Sequence, residues 1–132
     1  MDLVQFMQDY AKQIGGQFSE YDKEKSIIVV PLSEGRFQTI IGRYKDSQLF
    51  NKTMIVVSSK ICQYKDSHNL AALLEENSNL HYAKFSMVDD YLKVEASGFV
   101  DQLTEDMLKE MIVEVAEVAD NWEQRLTGVD VH

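Results

Sequence analysis

The chain has few of the residues from which cross-linked or metal-held folds are built. Cys62 is its one cysteine, so no disulfide can form within the chain. His68, His81 and His132 are scattered and lack the short paired spacings of a zinc site, so no metal is expected. Proline occurs once, at Pro31, which leaves long helices and strands uninterrupted. No apolar run approaches the roughly 20 residues of a membrane-spanning helix. The opening Met1-Asp2-Leu3 lacks a basic segment and a signal-like apolar stretch. The expectation is a soluble, cytoplasmic protein with no membrane association. Arg36, Arg43 and Arg125 are too dispersed for a phosphate cradle, and Gly15-Gly16 ends a helix rather than opening one. Positive charge is in deficit: 13 Lys and Arg against 22 Asp and Glu, a net charge of −9. Such a field repels phosphate backbones and argues against a general nucleic-acid role.

What is present suffices for one domain over residues 1–132. Hydrophobic residues make up 45% of the chain, and a domain of this length buries about two-thirds of its unfolded surface. Leu3, Phe6, Met7, Tyr10 and Ile14 recur at helical spacing, with Asp2 as N-cap and Gly15-Gly16 as the stop. That stripe packs on a sheet or forms part of a groove wall. Phe18–Tyr21 reads as a short extended piece, and 22–25 as a solvated connector. Ser26–Leu32, Arg36–Lys45 and Lys52–Gln63 read as three strands, with Pro31 at an edge or strand end and Gly42 at a bulge or close approach. Asp66 or Ser67 caps a short helix carrying Leu70, Leu73 and Leu74, which either packs on the sheet or meets a symmetry mate.

The best-specified segment follows. With Asp89-Asp90 as a two-residue turn, Met87 opposes Leu92, Phe85 opposes Val94 and Ala83 opposes Ala96, all on one apolar face. The other face pairs Lys84 with Glu95. The period then changes to helical. Thr104 caps a helix running to about Leu126, before Gly128, with a core stripe of Leu108, Met111, Ile112, Val115, Ala119 and Trp122. Glu110, Glu114 and Glu117 lie on the far side as a solvated acidic row. The fold class is therefore α+β, in the order helix, three strands, helix, two strands, helix, with an antiparallel sheet packed by helices.

This arrangement resembles the type III secretion chaperone-like fold, shared by Tir-chaperone-like and YbjN-like proteins. Gly35-Arg36-x-Gln38, Asn79-Leu80-x-Tyr82-x-x-Phe85, Asp90-x-Leu92-x-Val94 and Ala119-Asp120-x-x-Glu123-x-x-Leu126-x-Gly128 are similar to segments of that group. The resemblance implies a small acidic protein, often dimeric, that binds no cofactor and holds an extended client polypeptide. Carried onto this chain, it assigns Leu3, Phe6, Met7 and Tyr10 to a client surface and Leu70, Leu73 and Leu74 to a homodimer interface.

The leading functional expectation is a non-enzymatic protein-binding module, chaperone-like or regulatory. An exposed strand edge would pair with client backbone while apolar pockets take alternate side chains. A second reading is a small-molecule-sensing domain or an enzyme, with Tyr44, Tyr64, Arg43 and His81 as the polar groups of a pocket. A third is a structural subunit that only dimerises.

Overall fold

A computed structural model describes residues 1–22 and 25–127. Part of the 22–25 connector, Gly128 of the closing segment, and His132 lie outside the described residues. The elements are α1 (Leu3–Gln13), β1 (Gln17–Glu20), β2 (Lys25–Pro31), β3 (Phe37–Ser47), β4 (Lys52–Gln63), α2 (Leu70–Glu76), β5 (Ala83–Val88), β6 (Tyr91–Phe99) and α3 (Glu105–Thr127). The six strands form one antiparallel sheet in the order β1-β2-β3-β4-β6-β5.

The fold class is the one expected, with one more strand. The extended piece at 18–21 is strand β1, which pairs with β2 through Phe18 opposite Ile28. The β5–β6 register is the anticipated one, from Ala83 opposite Ala96 to Val88 opposite Tyr91. Asp89 and Asp90 both take positive φ, 52° and 62°. That geometry matches the twist of a two-residue hairpin, and aspartate tolerates it better than most residues. Gly42 marks a close approach rather than a bulge: a Cβ there would lie 3.0 Å from Met7 Cε on α1. The register shift falls instead on β4, between Lys60 and Cys62.

The helix ends follow local chemistry. Asp2 accepts a hydrogen bond from Gln5 N–H at 3.2 Å, and Thr104 Oγ1 accepts one from Met107 N–H at 3.1 Å. The α2 cap is Asn69, not Asp66 or Ser67, and its Oδ1 accepts from Ala72 N–H. Several capping residues stand within four positions there, and the helix starts later than its polar lead-in suggests. All three helices cover one face of the sheet. Their apolar stripes meet Ile28, Ile40, Ile55, Val57, Ile61, Val94 and Ala96 in a single core. Phe85 and Trp122 close it edge-to-face, with ring centroids 5.5 Å apart. Among the described residues no helix lies on the opposite face of the sheet.

Candidate functional site

Reactive groups do not converge. Among the described residues no cluster of His, Cys, Asp or Glu could hold a metal, and no helix is long and apolar enough to cross a membrane. Cys62 is buried, and burial, reinforced by the charge of Glu123, pushes its thiol pKa up despite nearby Lys65. A thiol held protonated in this way is a poor nucleophile. Tyr44, Tyr64, Arg43 and His81 are not brought together. Tyr44 Oη ties down the start of α1, accepting from Leu3 N–H and donating to the Met1 carbonyl, both at 3.0 Å. Neighbouring Arg43 points to the other face of the sheet, as alternation along a strand requires. Tyr64 packs against the core and against the His68 ring, and His81 is exposed at the start of β5.

The Gly35-Arg36-x-Gln38 and Ala119-Asp120-x-x-Glu123 segments do meet. Arg36 Nε donates to Asp120 Oδ2 at 2.9 Å and Arg36 Nη1 to Glu34 Oε2 at 2.9 Å. Asp120 and Glu123 are both buried carboxyl side chains. Buried Gln38 donates from Nε2 to Ser59 Oγ and to the Lys60 carbonyl. This layer fixes α3 against β3 and β4. A polar cavity of about 410 Å³ beside it is lined by Arg36, Glu117, Asp120, Asn121, Gln124 and Arg125. Its cations are already engaged: Arg36 by two carboxylates and Arg125 over the Trp122 ring at 4.8 Å.

The two edges of the sheet differ. At β5, Glu114 Oε1 accepts from Tyr82 and Ala83 N–H at 2.7 and 2.6 Å, and Oε2 accepts from His81 N–H at 2.8 Å. Asn77 Oδ1 accepts from Phe85 N–H at 2.7 Å. Side chains thus occupy the donors along the first half of that edge, a known defence against unwanted strand pairing. Partial burial works against the Glu114 carboxylate, but three backbone N–H groups outweigh it and hold its pKa below the usual glutamate range. The acidic row expected to be solvated is therefore structural at Glu114. Periodicity gave no sign of this, because the donors are backbone groups 31–33 positions away. At the other edge, β1 pairs only with β2, and no hydrogen bond joins its outer side to any described residue.

Leu3, Phe6, Met7 and Tyr10 lie in the core, none more than 7% exposed. With α1 seated they present no apolar surface to a client. Leu73, at 3%, also faces the core, whereas Leu74 is 69% exposed. Leu70, Leu74, Phe85 and Met87 line an apolar groove of about 150 Å³ between α2 and β5.

The uncovered face of the sheet holds two depressions that no sequence pattern announced. One, of about 360 Å³, is lined by Gly15, Gly16, Gln17, Val29, Pro31 and Phe37. The other, of about 210 Å³, has Ile27 and Ile41 in its floor, with Tyr21, Lys25, Arg43, Ser58 and Lys93 around them. Both adjoin β1.

No family model and no curated protein matches this chain. Solved structures do. A chain in the heterodimeric ExoU–SpcU complex from the type III secretion system of Pseudomonas aeruginosa superposes with a TM-score of 0.62 at 11% identity, covering 96% of this chain and 99% of that one. The fold is type III secretion chaperone-like. The HopA1–SchA chaperone–effector complex gives 0.58 at 10% identity over 91% of each chain. The ExsC–ExsE complex gives 0.51 at 15% identity over 96% of each.

Proposed function

We propose that this protein is a non-enzymatic, chaperone-like module that holds an extended polypeptide segment on the uncovered face of its sheet. One observation carries the reading: that face has two depressions with apolar residues in their floors beside a strand edge with no partner strand, while side chains occupy the first half of the other edge. A segment arriving at β1 finds backbone donors and acceptors, and where it continues across the uncovered face it meets Val29, Ile27 and Ile41. The likeness to chains solved in chaperone–effector and other binary complexes supports the same reading, as does the lack of a converging reactive cluster among the described residues. The test is co-purification with polypeptides encoded near or co-expressed with the protein, followed by limited proteolysis. A bound segment of 10–20 residues (roughly the length an extended chain needs to cross such a sheet) that becomes protease-resistant bears the proposal out. A chain that only ever purifies alone, and gains thermal stability from a metabolite, sinks it.

Self-association is the companion proposal. Leu74 and Met87 are exposed along the α2–β5 groove, and a second copy seated there would cover them, with Leu70 at the rim and Leu73 supporting from beneath.

A further inference from the structure

We infer that the segment held on the uncovered sheet face is acidic: its carboxylates meet Lys25, Arg43 and Lys93, about four extended residues from an apolar anchor seated at Val29 and Pro31. This rests on the peptide-holding reading above and supplies the chemistry of the peptide.

The strand register sorts the charges. Lys25 stands opposite Arg43, Lys45 opposite Met54, Lys60 opposite Lys93, and Lys84 opposite Glu95, all on the face that bears Ile27 and Ile41. With Lys52, opposite Ser47 on the same face, seven of the thirteen Lys and Arg residues share one face of a protein whose net charge is −9, and Glu95 is the one carboxylate in the strand positions among them. The three helices carry ten acidic and three basic residues. The molecule is therefore polarised, with an acidic helical layer and a basic sheet face. Three of those cations gather around the depression floored by Ile27 and Ile41. Neither Arg43 nor Lys93 has an ion-pair partner among the described residues.

Geometry sets the spacing. Lys25, Ile27, Val29 and Pro31 follow one another on the same face of β2, and Lys25 and Val29 are separated by about 13 Å at roughly 3.3 Å per residue. An extended segment lying along β2 and β3 therefore meets an apolar seat and a basic seat about four residues apart. A second copy of this chain is a poor occupant. Its acidic helices against this face would make a head-to-tail contact rather than a self-complementary two-fold one, between molecules that repel through their net charge.

The test uses a fluorescein-labelled synthetic peptide of twelve residues, with two alternate leucines and, four residues further on, two alternate glutamates. Companions replace the glutamates by glutamine or lysine, or the leucines by serine. Anisotropy is read at low and moderate salt, where the screening length falls from roughly 14 to roughly 6 Å. The glutamate peptide is expected to bind about tenfold tighter than the glutamine peptide at low salt, with the gap narrowing as salt rises. Arg43→Glu and Lys93→Glu should each weaken it by about tenfold, with Lys65→Glu on the far turn within about twofold. Circular dichroism verifies each fold, and Arg43→Gln serves if a reversal misfolds. Equal binding of the glutamate and glutamine peptides overturns the inference and leaves the peptide-holding reading standing. Failure of every peptide, whatever its charge, counts against both. Tighter binding of a single-stranded DNA oligonucleotide than of any peptide overturns the inference in favour of phosphate recognition.

Discussion

Glu114 offers the sharpest physical test, because one side chain takes up three consecutive backbone donors where a strand edge begins. Replacing it by alanine strips three backbone N–H groups of their acceptor. A hydrogen bond to a charged group contributes about 1.5–3 kcal/mol when shielded. Glu114 is only half-buried, so water replaces part of each bond, and the expected loss for Glu114→Ala is about 2–4 kcal/mol. Glu114→Gln keeps one acceptor oxygen and turns an NH₂ toward the remaining donors, and should cost about 1–2 kcal/mol. Urea unfolding monitored through Trp122 gives both values. Amide exchange at His81, Tyr82 and Ala83 should accelerate in step. The acid dependence has a definite sign. A carboxylate whose pKa is lowered in the folded state contributes its full stability above the unfolded pKa, near 4.3, and loses it as pH falls through the lower folded value. The gap between wild type and Glu114→Gln should therefore be constant at neutral pH and shrink on acidification. A loss under about 0.5 kcal/mol for Glu114→Ala, or a gap that widens in acid, would refute the argument.

Three further outcomes follow from packing. Gly16→Ala would drive its Cβ into the Val29 carbonyl, whereas Gly42→Ala meets only the movable end of Met7; thermal denaturation should show a loss of about 2 kcal/mol or more for the first and under about 1 for the second. Leu73→Lys should unfold or gravely weaken the protein because the side chain is buried, while Leu74→Lys should leave the monomer stable and, if the α2–β5 groove joins two copies, shift sedimentation from dimer to monomer. A double-mutant cycle on Arg36→Ala and Asp120→Ala should return a coupling of about 1–3 kcal/mol, since Asp120 is buried and bonded to Arg36.

The parts of this fold visible in the sequence are those where one face is apolar throughout. Ala83, Phe85, Leu92, Val94 and Ala96 alternate so strictly that a slip of one residue would expose them all, and the structure has that register. The α3 stripe is legible for the same reason, except that Asp120 and Glu123 sit inside it. Asp120 is matched by Arg36, 84 positions away, a pairing that no periodicity encodes. Strand β1 was faint because Gln17, Ser19 and Glu20 are polar and Phe18 alone turns toward the core. For α1, composition marks an apolar stripe but not whether it faces a sheet or a partner; Gly42, which lets Met7 and Leu3 approach β3, settles that here. The basic face was hidden for a different reason. Its lysines and Arg43 are spread over five strands, and only the pairing of those strands puts them side by side.

That pairing also sets like charges directly opposite one another: Lys25 faces Arg43 and Lys60 faces Lys93, with Cβ atoms about 4.5–5.5 Å apart, and they repel. Their long flexible stems ease this: Lys25 and Lys93 stand beside Ile27 and Ile41, and such stems cover apolar area while the ammonium groups spread into water. Lys60 rests over the Tyr91 ring at 5.1 Å and Lys25 over Tyr21 at 5.8 Å. The face is thus shielded enough to remain exposed without a partner, and it becomes a stronger apolar surface when the stems are drawn aside. Under the proposed function, a client that supplies carboxylates would do both at once: compensate the ammonium groups and displace their stems from the floor beneath. An uncharged client would have to uncover that floor without compensation, so affinity and selectivity at this face would, on this proposal, depend on the same few lysines.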